Sequence, residues 1–308
     1  MDIFTTMITP YLPDGSVDYE AARRYTQWYA AKGLTGIFAV CQSSEIFYLS
    51  LEERVRLNRC VYDEAMAIAA KGGPRLKVVS SGHVAYDFNE QVRELNAVCD
   101  SGTDALILIS NRLDPHNEGD DVFIRNTEKL IAQLPQEVKL GLYECPYPYK
   151  RLVTPRILDW CLQTGRFAYM KDTCCDADLL TQRCQQLKGS DFKLLNANCQ
   201  TLLESLRAGG QGYCGIMCNF HPELYVKLCR EFNSAQAELL QSLSGSLGFT
   251  EGGLPYPLTA KYHLCLEGIE SALIARNRPG ERLTDYGKHC VEQMKQLCDA
   301  VIARGGIV

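Results

Sequence analysis

The sequence predicts an α/β fold, a (β/α)₈ barrel followed by a C-terminal helical appendage. Eight strand-length apolar runs alternate with longer amphipathic stretches from the first residues onward, which is typical of parallel α/β folds. Several runs are apolar at successive positions, as expected for strands that are buried on both faces. The chain has 308 residues, which fits a barrel of about 250 residues plus an appendage. A doubly wound open sheet is the alternative arrangement.

Helix boundaries are marked by capping residues between the apolar runs. Asp18 is a predicted N-cap for a helix over 19–32, and Ser50 with Glu53 forms a capping-box pattern for the next helix. Thr154-Pro155 combines a cap with proline at the first helical position, and Gly165 ends that helix. The predicted strands cover residues 3–8, 36–40, 76–80, 105–109, 138–143, 167–171, 192–195 and 212–216.

The chain divides into two parts by its pattern. His221-Pro222-Glu223 opens the eighth helix, and no strand pattern follows. We therefore expect a barrel over residues 1–232 and a helical subdomain over 233–308. Because no low-complexity linker separates them, the two are expected to form one cooperative unit.

Composition excludes several classes of protein. Hydrophobic residues make up 46% and charged residues 22% of the chain, which favours a large buried core. A net charge of -5 without a basic stripe argues against a nucleic-acid partner. The longest aliphatic run, 105–109, is far shorter than the ~20 residues of a membrane span. The N-terminus lacks the pattern of a signal peptide, so a cytoplasmic location is expected.

Cysteine and histidine do not form the patterns of a metal site. The fifteen cysteines are scattered without paired CxxC units, and Cys214 with Cys218 or Cys174-Cys175 has poor spacing for zinc. The five histidines include no close pair of metal-ligand spacing. We expect reduced thiols that pack as small apolar side chains, and no metal or other cofactor.

Lysine ends the sixth predicted strand at Lys171, after an apolar run. In a parallel barrel, chemistry takes place at the carboxyl ends of the strands. An amine held in an apolar pocket loses hydration of its charged form, and the neutral amine is a nucleophile toward ketones. The alternative is a lysine that extends along the barrel rim into solvent.

Two further strand ends carry polar groups. Tyr143 ends the fifth strand, and neighbouring strands lie about 4.8 Å apart, so its phenol is expected beside Lys171. A phenol there would transfer protons as an imine forms and breaks, whereas a rim aromatic that covers the core is the alternative. The turn after the second strand contains Gln42 and Ser43, whose amides and hydroxyl suit a small carboxylate. A generic loop explains that turn nearly as well.

Taken together, these strand ends resemble the dihydrodipicolinate synthase and N-acetylneuraminate lyase family of class I aldolases, over almost the whole chain. The resemblance is carried by Thr9-Pro10 with residues 14–18, residues 36–45 and 48–54, Tyr143 with Pro146, Lys171-Asp172, and residues 212–219 with Pro222.

The resemblance implies a role for each of these positions. Lys171 would form the imine, and Tyr143 would transfer protons. Gln42 and Ser43 would bind the substrate carboxylate, with Gly215 and Ile216 beside the substrate. The substrate would be a 2-keto acid, and the assembly a homotetramer built from dimers.

Three positions depart from the synthase pattern. Gln42 stands where the family has a hydroxyl residue that relays protons. Tyrosine is absent near Asn111 and Arg112, and Pro148 stands near the arginine that grips the second substrate. Arg112 is predicted to meet an acidic or polyhydroxylated substrate instead.

The resemblance and its departures favour a Schiff-base lyase that acts on pyruvate or a related 2-keto acid, as a sugar-acid aldolase or dehydratase. Dihydrodipicolinate synthase proper and a non-catalytic keto-acid-binding paralogue are the alternatives. A metal-dependent class II aldolase is a weaker one, because the lysine makes a metal unnecessary.

Overall fold

Eight parallel strands close into a barrel in the computed structural model, which describes residues 1–252 and 254–304. Each strand pairs with the next along the chain, and the last pairs with the first through Asp2–Thr5 and Gly212–Gly215. This closure confirms the predicted barrel and excludes the open sheet. The strands are β1 Asp2–Thr6, β2 Gly36–Val40, β3 Lys77–Ser81, β4 Ala105–Ile109, β5 Leu140–Tyr143, β6 Phe167–Asp172, β7 Lys193–Asn196 and β8 Gly212–Gly215.

Helices connect the strands on the outside of the barrel, and the predicted caps begin them. The Asp18 carboxylate accepts from the amide of Ala21, and Ser50 and Glu53 form the reciprocal capping box. Gly165 ends its helix in the left-handed conformation. The helices are α1 Tyr19–Ala31, α2 Leu51–Ala70, α3 Phe88–Asp100, α4 Ser110–Leu113, α5 Asp120–Ile131, α6 Pro155–Thr164, α7 Ala177–Gln186, α8 Leu202–Arg207, α9 Pro222–Arg230, α10 Ala237–Gly252, α11 Leu258–Leu266 and α12 Asp285–Ala303.

The barrel interior is a packed core. Beneath Lys171 the free volume is only about 10 Å³, less than a water molecule needs. Chemistry is therefore restricted to the carboxyl-end rim, above this layer. The residues that line this space come from every strand: Phe4, Phe38, Val79, Ile107, Leu142, Tyr169, Leu195 and Cys214.

Three helices, α10 to α12, follow the barrel, and no strand lies in residues 233–252 or 254–304. The loop between α11 and α12 returns over the carboxyl rim, where Arg276 forms two hydrogen bonds with Glu53 at 2.7 and 2.8 Å. Through this loop the appendage forms part of the rim. The division of the chain at residue 232 stays a prediction.

The described residues contain no disulfide and no helix suited to crossing a membrane. No disulfide links any of the fifteen cysteines, all of which lie within the described residues, and this agrees with their predicted state as thiols. Among the helices of residues 1–252 and 254–304, none combines the length and apolar character that crossing a membrane requires.

Candidate active site

A cavity of about 360 Å³ opens at the carboxyl ends of the strands. We call it the main cavity. Five of the residues predicted from sequence line it: Gln42, Ser43, Tyr143, Lys171 and Ile216. They come from the ends of β2, β5, β6 and β8, and closure of the barrel brings them together.

Lys171 lies at the base of the main cavity, against aromatic rings. Its Nζ is 4.2 Å from the ring centroid of Tyr143 and 5.7 Å from that of Phe38. Its side chain is buried, although its end borders the cavity. Asp172, the next residue, pairs with Arg183 rather than with this amine. The amine is therefore held on an apolar floor with its upper side open, the arrangement a nucleophilic lysine requires.

Tyr143 carries a phenol that keeps its proton. Burial raises the pKa of Tyr143 well above its ordinary value. Its hydroxyl donates to Oε1 of Gln42 at 3.3 Å, and the Cys145 thiol donates to the same oxygen at 3.4 Å. Gln42 orients the phenol, but an amide oxygen does not pass protons onward. Tyr143 is therefore placed to donate a proton rather than to act as a resident phenolate.

The turn after β2 presents unused backbone amides. The Ser44 hydroxyl accepts from the amide of Cys41 at 3.0 Å, and Glu45 has a left-handed φ of 62°. Neither Gln42 nor Ser43 donates its own amide to another group in the part of the chain that the structure describes. Successive free amides in a tight turn form a concave site for an anion. This geometry suits the carboxylate of a keto acid.

Behind Lys171 and Tyr143 lies a buried ionic cluster that sequence reasoning missed. Arg183 from α7 donates to Glu144 at 2.7 Å and also pairs with Asp172. Glu144 additionally accepts from the amides of Val153 at 2.7 Å and Thr173 at 3.0 Å. Burial, with repulsion from Asp172, raises the pKa of Glu144. The cluster joins the residues that follow Tyr143 and Lys171, and so fixes the two strand ends to each other.

The sequence contains a pattern from which this ionic cluster could have been predicted. Glu144 and Asp172 each follow a predicted site residue directly, so alternation along a strand turns their side chains outward, under the helices. Buried carboxylates need a cationic partner. That requirement points to an arginine on the helix after β6, which is the position of Arg183.

Arg112 does not line the main cavity, and its predicted contact with the substrate stays a prediction. It stands over the ring of Tyr86 at 4.3 Å and that of Phe47 at 5.4 Å, and borders a separate cavity of about 210 Å³. Arg112 belongs to the short helix α4, directly after β4. The neighbouring Asn111 instead donates to the carbonyls of Cys145, Tyr147 and Tyr149, at 2.8, 3.0 and 2.7 Å.

Gly215 lies beside the main cavity, directly before Ile216, although it is not a lining residue. A Cβ at this position would lie 2.2 Å from the Tyr213 hydroxyl and 2.8 Å from the carbonyl oxygen of Ala197. Glycine is therefore required there by close packing of β7 against β8.

Several lining residues come from outside the predicted strand ends. Tyr256 and Asn277 belong to the appendage, and Asn198 follows β7. The Tyr256 hydroxyl accepts from the Asn219 carboxamide at 3.2 Å, and burial raises its pKa above the ordinary value. Lys150 also lines the cavity, and its Nζ donates to the carbonyl of Thr173 at 2.6 Å.

Metal ligands are not clustered around this site. No group of three or more His, Cys, Asp or Glu side chains able to hold a metal occurs within residues 1–252 and 254–304. His83 is buried, accepts from the amide of Ile109 at 2.6 Å, and burial lowers its pKa to about 4. It is a structural histidine of the core.

A packed parallel barrel with a lysine beside a tyrosine at its rim is compatible with a lyase of the class I aldolase type. Residues 1–76 match the model of the dihydrodipicolinate synthetase family. The 4-hydroxy-tetrahydrodipicolinate synthase of Saccharophagus degradans is 25% identical over 298 residues, which cover 88% of this chain and 97% of that protein. Over most of its length the chain is similar to proteins of the dihydrodipicolinate synthase and N-acetylneuraminate lyase family.

Other relatives are similar over most of their length. The corresponding synthase of Laribacter hongkongensis is 26% identical, over 93% of this chain and 94% of that protein. Among solved structures, the fold matches YagE of E. coli K12, in complex with pyruvate, with a TM-score of 0.83, 19% identity and coverage of 97% and 98%. The sialic acid aldolase of Ruminococcus gnavus matches with a TM-score of 0.83, 17% identity and coverage of 97% of each chain.

Proposed function

We propose that this enzyme forms an imine between Lys171 and the ketone of pyruvate or a related 2-keto acid, and makes or breaks a bond to the neighbouring carbon. One observation carries the proposal: the Lys171 Nζ lies 4.2 Å from the Tyr143 ring, at the base of an open cavity. A likeness in fold to YagE, solved with pyruvate, supports it.

The first step is addition of the Lys171 Nζ to C2 of the substrate, which gives a carbinolamine. Tyr143 supplies the proton with which the C2 hydroxyl leaves as water, and the nitrogen lone pair forms the C=N bond. The resulting iminium accepts electrons from C3. In an aldolase, the Tyr143 phenolate left by this step takes the proton of the C4 hydroxyl as the C3–C4 bond breaks, which gives an enamine at C2 and an aldehyde at C4. Tyr143 returns that proton to C3, and water hydrolyses the imine to release pyruvate and the Lys171 amine. In a dehydratase, the phenolate instead takes a proton from C3, and the enamine electrons expel the C4 hydroxyl, which leaves as water with that proton.

The C1 carboxylate of the keto acid would bind to the turn after β2. The amides of Gln42 and Ser43 are free to donate to its oxygens. Ile216 would pack against the methyl or methylene side of the substrate. This orientation leaves C3 and the rest of the substrate pointing toward the cavity mouth.

The second substrate is a sugar acid or a related compound in this proposal, rather than the aldehyde of a lysine-pathway synthase. Pro148 offers no donor where such a synthase has an arginine, and Asn111 is occupied by three loop carbonyls. A second candidate is the synthase itself, because the curated relatives carry that name. A keto-acid-binding protein without turnover is a third.

A coupled assay separates these candidates. Sugar-acid substrates are supplied in turn; pyruvate release by an aldolase is followed with lactate dehydrogenase, and loss of water by a dehydratase is followed by mass spectrometry of the products. A parallel reaction contains pyruvate and aspartate semialdehyde. The proposal expects turnover with at least one sugar acid or related 2-keto acid, abolished in Lys171→Ala, and negligible condensation with the semialdehyde. Robust condensation would favour the synthase, and no turnover in any reaction would favour the binding protein.

The expected assembly follows from the resemblance, and the expected location from the absence of a signal-peptide pattern. A homotetramer built from dimers and a cytoplasmic location stay predictions. Light scattering coupled to size-exclusion chromatography tests the first, and a monomeric mass would contradict it.

A further inference from the structure

A second cavity adjoins the main cavity on the side away from Lys171. It has a volume of about 240 Å³, and Gln42 and Asn277 border both cavities. We call it the distal cavity. Its remaining wall includes Arg278 and Tyr147. Because the two cavities share wall residues, they lie next to each other at the carboxyl rim.

The two cavities together carry an excess of positive charge. Lys150 and Lys171 border the main cavity, and Arg278 borders the distal cavity. The single carboxylate among the lining residues is Glu45. It is already engaged, because one oxygen accepts from the amide of Asn277 at 2.9 Å and the other lies 3.7 Å from the buried Lys261 Nζ.

Arg278 is held in place but retains donor capacity. Its Nε donates to the carbonyl of Tyr256 at 2.9 Å, and one terminal nitrogen pairs with Glu281 at 2.7 Å. The other terminal nitrogen has no partner within residues 1–252 and 254–304, and neither does the Asn277 carboxamide. The Tyr256 contact orients the guanidinium, and partial exposure of 41% leaves it accessible to a ligand.

We propose that the distal cavity binds the far end of the substrate and that Arg278 recognises an anionic group there. The substrate class is then a 2-keto acid with a second anionic group, carboxylate or phosphate, separated from the ketone by a short chain. This inference rests on the proposed attachment of the substrate to Lys171. A guanidinium suits both anions, since its planar donors match their paired oxygens.

Matched pairs of ligands test the charge preference. Binding of 2-oxohexanedioate is compared with that of 2-oxohexanoate by calorimetry, in the native protein and in Lys171→Ala. A terminally phosphorylated 2-keto acid is compared with its hydroxyl counterpart in the same way. We expect the doubly charged member of at least one pair to bind about tenfold more tightly, the usual order for one charge-assisted hydrogen bond. The pair with the larger ratio identifies carboxylate or phosphate.

Two substitutions and a control locate the effect. Arg278→Gln should bring the ratio of affinities for the doubly and singly charged ligands close to one. Glu281→Gln should increase that ratio, because the substitution removes a carboxylate that competes for Arg278. Arg282→Gln changes an exposed arginine in the same loop and should leave the preference unchanged. Equal binding of both members of each pair in the native protein would overturn the inference, as would a preference that survives Arg278→Gln.

Failure of this inference is distinguishable from failure of the proposed function. If borohydride and pyruvate label Lys171 but no charge preference is found, the distal cavity has another role while the imine chemistry stands. If the preference is present in both native protein and Lys171→Ala but no lysine is labelled, the distal site stands and the imine proposal fails.

Discussion

Tyr143 and Lys171 are direct register partners on the neighbouring strands β5 and β6. The consequence is a 4.2 Å separation between the Lys171 Nζ and the Tyr143 ring, set by backbone pairing rather than by loop conformation. Rigid strands place reacting groups more accurately than loops do. A proton donor and a nucleophile are thus fixed beside each other before any substrate binds.

Removal of the Tyr143 hydroxyl should slow turnover without unfolding the protein. Tyr143→Phe keeps the ring against Lys171 and removes only the proton donor. We expect turnover of the best substrate to fall by about 10²–10⁴-fold, the usual contribution of general acid–base catalysis. Tyr256 carries a second phenol that lines the main cavity. Tyr256→Phe is therefore the matched control, and it should lose less turnover than Tyr143→Phe. Turnover equal to that of the native enzyme would leave Tyr143 with a packing role only.

Arg183 should be necessary for folding stability because it neutralises Glu144 and Asp172. All three side chains are at most 1% exposed. Arg183→Met leaves two carboxylates buried without a cation, and loss of one partner from a buried pair costs about 3–5 kcal/mol. Chemical denaturation measures the free energy of unfolding. Arg207→Met, which breaks an exposed pair with Glu238, is the control and should cost about 1 kcal/mol or less. Similar losses in the two variants would contradict this account.

The fold was predictable because its signals are local and repeated. Each strand is an apolar run, and caps such as Asp18 and Ser50 mark the helix starts. Once consecutive strands are neighbours, the pairing of Tyr143 with Lys171 follows from chain order. Asn277 and Tyr256 were missed because they reach the rim from the appendage, where no strand periodicity indicates position. The position of Arg112 could not be read from sequence spacing, which does not reveal the single helical turn after β4.

Glu267 should make the stability of the fold depend on pH in acid. It joins the barrel to α12, with Lys32 at 3.0 Å and Lys295 at 2.6 Å. Burial alone would raise its pKa, but hydrogen bonds from Lys295, Trp28 and Lys32 lower the pKa of Glu267 to about 2. A carboxyl with a lowered folded pKa stabilises the fold above its unfolded value, about 4.5, and that contribution is lost as pH falls toward 2.

Glu267→Gln therefore should lower the free energy of unfolding at pH 7 by about 1–2 kcal/mol, allowing for solvent screening of a partly exposed group. The difference from native protein should shrink as pH falls from about 4.5 toward 2. Glu270 is an exposed carboxyl nearby. Glu270→Gln should change neither the free energy of unfolding at pH 7 nor its dependence on pH. The measurement is denaturant unfolding at several pH values, and a difference that stays constant with pH would contradict the assigned pKa.

Covalent trapping of the imine tests the central claim most directly. The native protein is incubated with pyruvate and sodium borohydride, digested, and its peptides are analysed by mass spectrometry. Lys150→Ala is the matched control, since Lys150 also lines the main cavity. We predict one reduced pyruvyl adduct on Lys171, retained in Lys150→Ala and absent in Lys171→Ala. An adduct on another lysine, or none with any 2-keto acid tried, would contradict the mechanism.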